Sequence, residues 1–457
     1  MKILVCNVGS TSLKFKLYEM PEKTVYATGK VERVGSTSEA IYSFCNVRTG
    51  EKIAKDHLSV PRYKDGIALF LGDLLDKKQG ILSDIAEISA VGFKTVLAKG
   101  HHGVFELNDE TLAAMRDYLF IAPAHNQPYL DAIGEFKAML PNALLVGSFE
   151  TAFHKTIPKE RKLYALPYEW YEKYGIQRFG FHGHSHEYTA RHLPELVGKT
   201  EFRAISCHLG GSSSLCAIKD GKSVDCSFGF TPQTGLPHAA RIGDIDAYIV
   251  PFLMNEGMTM EEITTAFAKK SGLYGISGVD SDLRFIEEAA NAGNERAKLA
   301  IDMFVAAIVR YAGSFYAELG GLDYLTFAGG IGENSATVRR RVCDALGVFG
   351  VKIDPEKNAN VHGECEISAP DSKVKIYSIA TDEEQMVAVK TYEYSQNRKT
   401  FGARRLLRGD GAQPLRGKRR RDDRRRFFPC ALCLGRRRNA LVLRCGIRRS
   451  AVRRRGV

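Results

Sequence analysis

The hydrophobic pattern opens with a short apolar run, Ile3-Leu4-Val5-Cys6, which breaks into small and hydroxylated residues and resumes as alternating apolar and basic positions over Leu13-Lys14-Phe15-Lys16-Leu17. This predicts strand, tight turn, strand. The design recurs at Arg203–Ile218, where Asn7–Leu13 lies over His208–Leu215 with one extra residue in the turn. Two such hairpins, about 200 residues apart, imply a duplicated domain with a cleft between its halves.

The pattern between and after the hairpins predicts mixed α/β structure. Strands are expected at 24–34, 40–47, 88–94 and 143–150, a helix at 65–75, and another at 108–119 with Asn108 as its cap. Residues 122–128, Ala-Pro-Ala-His-Asn-Gln-Pro, read as a rigid connector. Asp220-Gly221 is a tight turn into a strand at 222–226. A long loop spans 229–246, and helices follow at 259–271, 282–292 and 295–319. A strand at 322–328 runs into the glycine-rich turn Gly329–Ser335, which caps a helix from Ala336.

Charge divides the chain. The full sequence has a formal net charge of +12, yet residues 398–457 carry 20 Arg, 2 Lys and 3 Asp, a net +19. The first 397 residues therefore stand at −7, and the basicity belongs to a tail. The tail lacks helix or strand periodicity and cannot build a core, so it is expected to be disordered. Two readings stay open for it: non-specific binding to nucleic acid or anionic membrane, or a segment foreign to the fold. The seven body cysteines lie mostly in strand-like runs without regular spacing and read as buried reduced thiols. No apolar run approaches a membrane span, and Met1–Cys6 reads as a first strand and not a signal peptide. A cytoplasmic protein is expected.

Several residues carry candidate chemistry. Gly9 permits close backbone approach, Ser10, Thr11 and Ser12 supply hydroxyls, and Lys14 adds a charge on the Ser12 face, a turn suited to phosphate. Lys94 and Glu150 end predicted strands, where open sheets bind ligands, so both are expected in one cleft. His182, His184 and His186 alternate and would share one face of a strand, a zinc-like spacing. Gly183 and the lack of a nearby acidic ligand weigh against that reading. Arg241 stands among small residues in the long loop, a setting for a guanidinium aimed into a cleft.

Together these residues resemble the acetate kinase (acetokinase) family of the acetate and sugar kinase, heat-shock 70 and actin superfamily. The most specific pieces are Asn7–Lys14, Thr151–His154, Gly180–Gly183, Arg241–Asp246, Gly330–Ser335 and Thr381–Glu384. The resemblance covers the chain from Met1 to about Asn397. It implies duplicated ribonuclease-H-like, actin-like ATPase domains with mixed sheets flanked by helices and an interdomain active site. One lobe would span 1–150, completed by about 384–397, and a nucleotide-binding lobe 151–383, before the tail at 398–457.

By resemblance the activity is reversible in-line transfer of the ATP γ-phosphoryl to a short-chain carboxylate, with Mg2+ or Mn2+ and ATP as co-substrate, in a homodimer. Glu150, Arg241 and His182 take the catalytic positions. Lys94, Val96, Ala124, Phe181 and Pro232 take the carboxylate. Ser10, Ser12, Lys14, His208, Leu209, Gly210, Gly211, Ser212, Asp282, Leu283, Arg284, Gly330, Ile331, Gly332, Glu333 and Asn334 line the nucleotide. Asn7 and Glu383 lie near the metal. The chemistry suits these types, because phosphoryl transfer is catalysed by positioning and by positive groups around the spreading charge.

The chain departs from the family at defined places. Glu150 replaces Asp, Phe93-Lys94 replaces His-Arg, Gly211-Ser212 replaces Asn-Gly, His184 replaces Thr, and Pro237–Ala240 replaces Met-Met-Gly-Thr. Lys94 keeps a charge and loses the bidentate fork. Ala124 stands where the family tends to have Leu, which points to a larger acyl pocket and an acid such as propionate or butyrate. The alternatives are a nucleotide-binding relative with impaired transfer and a nucleic-acid binder acting through its tail.

Overall fold

Period-two patterning carries through into two sheets. The first holds β1 (Lys2–Gly9), β2 (Ser12–Glu19), β3 (Thr24–Glu32), β4 (Ser36–Asn46), β5 (Lys52–Val60), β6 (Ile88–Thr95), β7 (Val104–Glu106) and β8 (Leu144–Phe149), in the order β5-β4-β3-β2-β1-β6-β8-β7. The second holds β9 (Arg203–His208), β10 (Ser214–Lys219), β11 (Lys222–Cys226), β12 (Tyr324–Ala328), β13 (Cys365–Glu366) and β14 (Lys375–Ser378), in the order β11-β10-β9-β12-β14-β13. This computed structural model describes residues 1–121 and 123–407. The side chains of residues 123, 124 and 399–407 lie outside it, as do residue 122 and the tail at 408–457.

The duplication is visible in the strand order. In each sheet an antiparallel meander leads to a strand that pairs in parallel with a later one, which pairs in parallel with a third: β3-β2-β1-β6-β8 in the first, β11-β10-β9-β12-β14 in the second. The two hairpin turns differ by more than one residue. Gly9 pairs with Ser12 around a two-residue turn, whereas His208 pairs with Ser214 and leaves 209–213 as a loop.

Packing explains why these strands stay in register. On one face of the first sheet, Phe15 stacks on Phe70 of the helix Tyr63–Leu75 with ring centroids 4.7 Å apart. Gly29 makes room for that ring, since a Cβ there would lie 2.3 Å from Phe70. The opposite face carries Ile3, Val5 and Tyr18 and is covered by Val387 and Ala388 of the last helix, Glu383–Leu407. Gly92 of β6 permits this contact, its absent Cβ facing Thr391 at 2.4 Å. The chain thus returns to the first sheet at its end. Helix Glu295–Leu319 is long and apolar enough to span a membrane, but Phe304, Ile308 and Phe315 are fully buried in the second core.

Three expectations change. The rigid connector is the start of a helix, Pro123–Met139, because proline at the first helical position is preorganised for it. The alternating histidines belong to no strand: His182 is a left-handed N-cap (φ 56°) and His184 and His186 lie in the helix Gly183–Val197. Their shared zinc face therefore does not form. The turn Gly329–Asn334 is itself a helical turn, and Ser335 caps the next helix through its Oγ and Val338 N–H. Asn108 caps Asp109–Asp117 as expected.

Candidate active site

Both hairpins open into one cavity of about 240 Å³, lined by Asn7, Val8, Lys94, Val96, His125, Tyr129, Glu150, Phe181, His182, His208, Ser212, Phe228, Pro232, Arg241 and Glu383. Asn7 and Lys94 stand near the carboxyl ends of β1 and β6, and Glu150 directly follows β8, as open sheets require. Lys94 Nζ lies 3.2 Å from Glu150 Oε1 and also contacts the Glu383 carboxylate. Burial alone pulls the Lys94 ammonium down, but Glu383 and Glu150 outweigh it and hold its pKa above the ordinary value. Burial conversely favours protonated Glu150 and Glu383, and Lys94 overrides it, keeping both carboxylates charged.

Glu150 is fixed by backbone. His182 N–H donates to its Oε2 at 3.0 Å, and Gly183 N–H donates to its carbonyl at 3.1 Å. The second contact requires glycine, because a Cβ at 183 would sit 2.0 Å from the Glu150 carbonyl oxygen. Asn7 is fixed by Tyr129, whose hydroxyl accepts from Val8 N–H at 3.2 Å and donates to Asn7 Oδ1 at 3.2 Å.

Arg241 enters from the long loop. The loop is tied to its neighbours through backbone: Ala239 N–H to Gly211 O, Ser271 N–H to Ala240 O, and Leu273 N–H to His238 O. His238 Nδ1 accepts from Ser213 N–H at 3.0 Å and ties this loop to the loop after β9. The Arg241 guanidinium, in contrast, has no hydrogen bond or ion pair with any described residue. Burial lowers its pKa and the Glu150 charge raises it. A cation held without a partner in a cavity is a seat for an anion.

A second cavity, of about 740 Å³, is lined by Gly210, Gly211, Ala239, Ser281, Asp282, Leu283, Arg284, Glu287, Gly330, Ile331, Asn334 and Ser335. One loop borders both cavities, with Gly211 on the large one and Ser212 on the small one. The glycine-rich turn is held by Arg339, which is fully buried and donates to the carbonyls of Gly332 (2.9 Å), Glu333 (2.8 Å) and Asn358 (2.8 Å) and to Asn358 Oδ1 (2.8 Å).

Not every expected residue reaches a cavity. Ser10 borders a separate groove beside Arg62 and Tyr63, because the Tyr63 hydroxyl holds the carbonyls of Gly9 and Ser10 at 2.9 and 3.0 Å. Lys14 lines a groove across β2–β5 with Lys30 and Lys52, and Ser12 sits against Gly9. Lys14 stands directly opposite Asn7 in the β1–β2 register, yet its side chain runs into this groove and not into the small cavity. Leu209, Gly332 and Glu333 serve the backbone: Leu209 O accepts from Ile331 and Gly332, and Glu333 accepts from Gly329 N–H. The side chain of Ala124 lies outside the described residues. His125 and Tyr129 were hidden by the prolines at 123 and 128, which read as a break. Phe228, Ser281 and Glu287 gave no local signal.

Glu150, Glu383 and His184 place ligand atoms within 4.8 Å of one another, and His184 Nδ1 is buried without a hydrogen-bond partner. Two carboxylates beside the Asn7 carboxamide form an oxygen-rich set that fits Mg2+, which needs only one or two protein oxygens.

Comparisons with known proteins agree with this geometry. The acetokinase family profile matches residues 2–389. The acetate kinase of Carboxydothermus hydrogenoformans is 44% identical over 402 residues, covering 87% of this chain and all of that protein. The crystal structure of Porphyromonas gingivalis acetate kinase superposes with a TM-score of 0.77 at 39% identity, covering 86% of this chain and 99% of that one. A propionate kinase structure from Francisella tularensis gives 0.78 at 33% identity, with the same coverage. With its duplicated sheets, shared cavity and match along nearly the whole body, the chain belongs to the acetokinase family.

Proposed function

We propose that this chain is an acetate kinase-type phosphotransferase, moving the γ-phosphoryl of ATP to a short-chain carboxylate and back. The observation that carries the reading is the unpartnered Arg241 guanidinium, which shares the small cavity with Lys94 and Glu150 beside the nucleotide-sized cavity. Adenosine would occupy the large cavity against Gly330 and Ile331, with its phosphates passing the Gly210–Ser212 loop. The acyl chain would meet Val96, Phe181, Phe228 and Pro232, and its carboxylate would meet the cations.

Arg241 and His182 would face the oxygens of the transferred group, where charge spreads over the equatorial positions. A carboxylate acceptor is already anionic, so no strong base is needed, and Glu150 is cast as an orienting group. Glu383 and Asn7, with Glu150, would hold Mg2+, which supplies charge neutralisation between the phosphates when bound. A homodimer is consistent with the exposed apolar side chains Tyr248 (81%), Phe252 (62%), Met254 and Met260. We place the enzyme in the cytoplasm, where ATP is supplied.

An acyl-hydroxamate assay with ATP, Mg2+ and a panel of C1 to C5 acids tests the reading. Acid-dependent product is expected, with propionate or butyrate rivalling acetate if the acyl pocket is enlarged at Ala124. ATP consumption that is identical with and without every acid sinks it.

A further inference from the structure

His182 lines the small cavity, and a file of buried groups runs away from it. His182 Nδ1 lies 2.9 Å from Ser214 Oγ, which lies 2.9 Å from His186 Nε2. His186 Nδ1 in turn lies 3.0 Å from Ser206 Oγ, where the file ends. Ser206, His186 and Ser214 are fully buried. His182 Nε2 has no hydrogen-bond partner among the described residues.

We propose that Ser206, His186 and Ser214 are positioning residues that fix His182 as its Nε2–H tautomer, so that a neutral ring presents a hydrogen-bond donor to the cavity. The functional consequence rests on the reading of His182 as a group that meets the transferred phosphoryl. The ordering of protons does not.

The argument is a count of protons. Each neutral histidine carries one ring proton and each serine one hydroxyl proton, and three hydrogen bonds join the four groups. If Ser206 donates to His186 Nδ1, His186 Nε2–H donates to Ser214, and Ser214 donates to His182 Nδ1. The remaining proton then stands on His182 Nε2, facing the cavity. Reversing the file makes Ser206 an acceptor and strands its hydroxyl proton in the core. The register neighbour of Ser206, Thr326, has a buried hydroxyl that makes no hydrogen bond, so it does not take that proton. If both histidines donate to Ser214, its own proton is stranded instead. Only the first order leaves no buried donor unmade, and buried donors are seldom left unmade.

Chemistry favours the same order. A lone pair on His182 Nε2 would repel phosphoryl oxygens, whereas an N–H accepts their developing charge. The neighbouring ring, His208, lies against His182 with centroids 4.2 Å apart and the planes tilted by 40°, and is ordered the other way. Its Nδ1 lies 2.8 Å from Ser185 Oγ, whose proton goes to Thr381 Oγ1.

The test is long-range proton–nitrogen NMR on the full chain labelled with 15N-histidine, without substrates, with His182→Gln assigning the signal. An Nε2–H pattern for His182 is expected in the parent, and Ser214→Ala is expected to mix or invert it while Ser214→Thr restores it. An Nδ1–H pattern in the parent overturns the proposal, and so does an unchanged pattern in folded Ser214→Ala. If Ser214→Ala does not fold, the parent spectrum alone decides. In kinetics, Ser214→Ala is expected to lower kcat by about tenfold or more with little change in either KM, a fraction of the ~10²–10³ that one lost donor costs. Full kcat in His182→Gln would remove His182 from the mechanism and leave the NMR result to judge the proton order.

Discussion

Lys94 Nζ stands 3.2 Å from Glu150 Oε1 at the adjoining ends of β6 and β8, within reach of Glu383 at the start of the last helix. The pair joins a short, compact cation to a long carboxylate, and a change in the length of either one alone would disturb the contact across the cavity. Lys94→Arg or Glu150→Asp alone is therefore expected to lower kcat/KM for the carboxylate by about 10- to 100-fold, since a ~1 Å displacement can cost that much. The double variant is expected to recover most of the loss, giving a coupling of about 1 kcal/mol or more. Additive losses in a double-mutant cycle would show that the two side chains act independently.

The loop that carries Arg241 is held by backbone hydrogen bonds, and the guanidinium has no hydrogen bond or ion pair with any described residue. Arg241→Ala is expected to lower kcat by about 10³-fold, in the range of transition-state arginines. Its thermal melting should stay close to the parent's, because the Arg241 side chain makes no hydrogen bond or ion pair with a described residue. Arg241→Lys should remain impaired, as a point charge lacks the planar fork. Near-normal turnover in Arg241→Ala would exclude the residue from the chemistry.

Arg339 holds the glycine-rich turn from beneath. Arg339→Ala strips partners from three carbonyls, two of them buried, and opens a hole, and is expected to cost about 3 kcal/mol or more. Urea unfolding measures that loss. The same variant should raise KM for ATP more than it lowers kcat, because the turn borders the large cavity and not the small one.

Burial pushes the His154 imidazole down to about 4. Burial, with the Arg241 charge added, pushes His238 down to about 3. Unfolded histidines titrate near 6.5, so below that pH the unfolded chain binds protons the folded chain refuses. Stability is therefore full above about pH 6.5 and falls as pH drops toward 4, by up to about 1.4 kcal/mol per pH unit for each such group. Urea midpoints taken from pH 7.5 to 5.0 should decline on the acid side, and a flat profile would contradict neutral burial.

The amino-acid sequence by itself determined the two strand–turn–strand units, the strands that end in Lys94 and Glu150, the glycine-rich turn and the lone arginine in its loop. These rest on local periodicity and on residue types whose backbone preferences act over a few positions. Only tertiary structure decided which of those groups share a cavity. Asn7 reaches it while Ser10 and Lys14 do not: Tyr63 holds the carbonyls of Gly9 and Ser10 on its own side, and Lys14, although opposite Asn7 in register, runs along the β2–β5 groove. Glu383 arrives beside Lys94 from nearly 300 residues away because the last helix packs on the first sheet. The proton order behind His182 likewise depends on serines from β9 and β10 meeting a helix that precedes them. Contacts of that kind follow from sheet order and side-chain packing, which no short window of residues encodes.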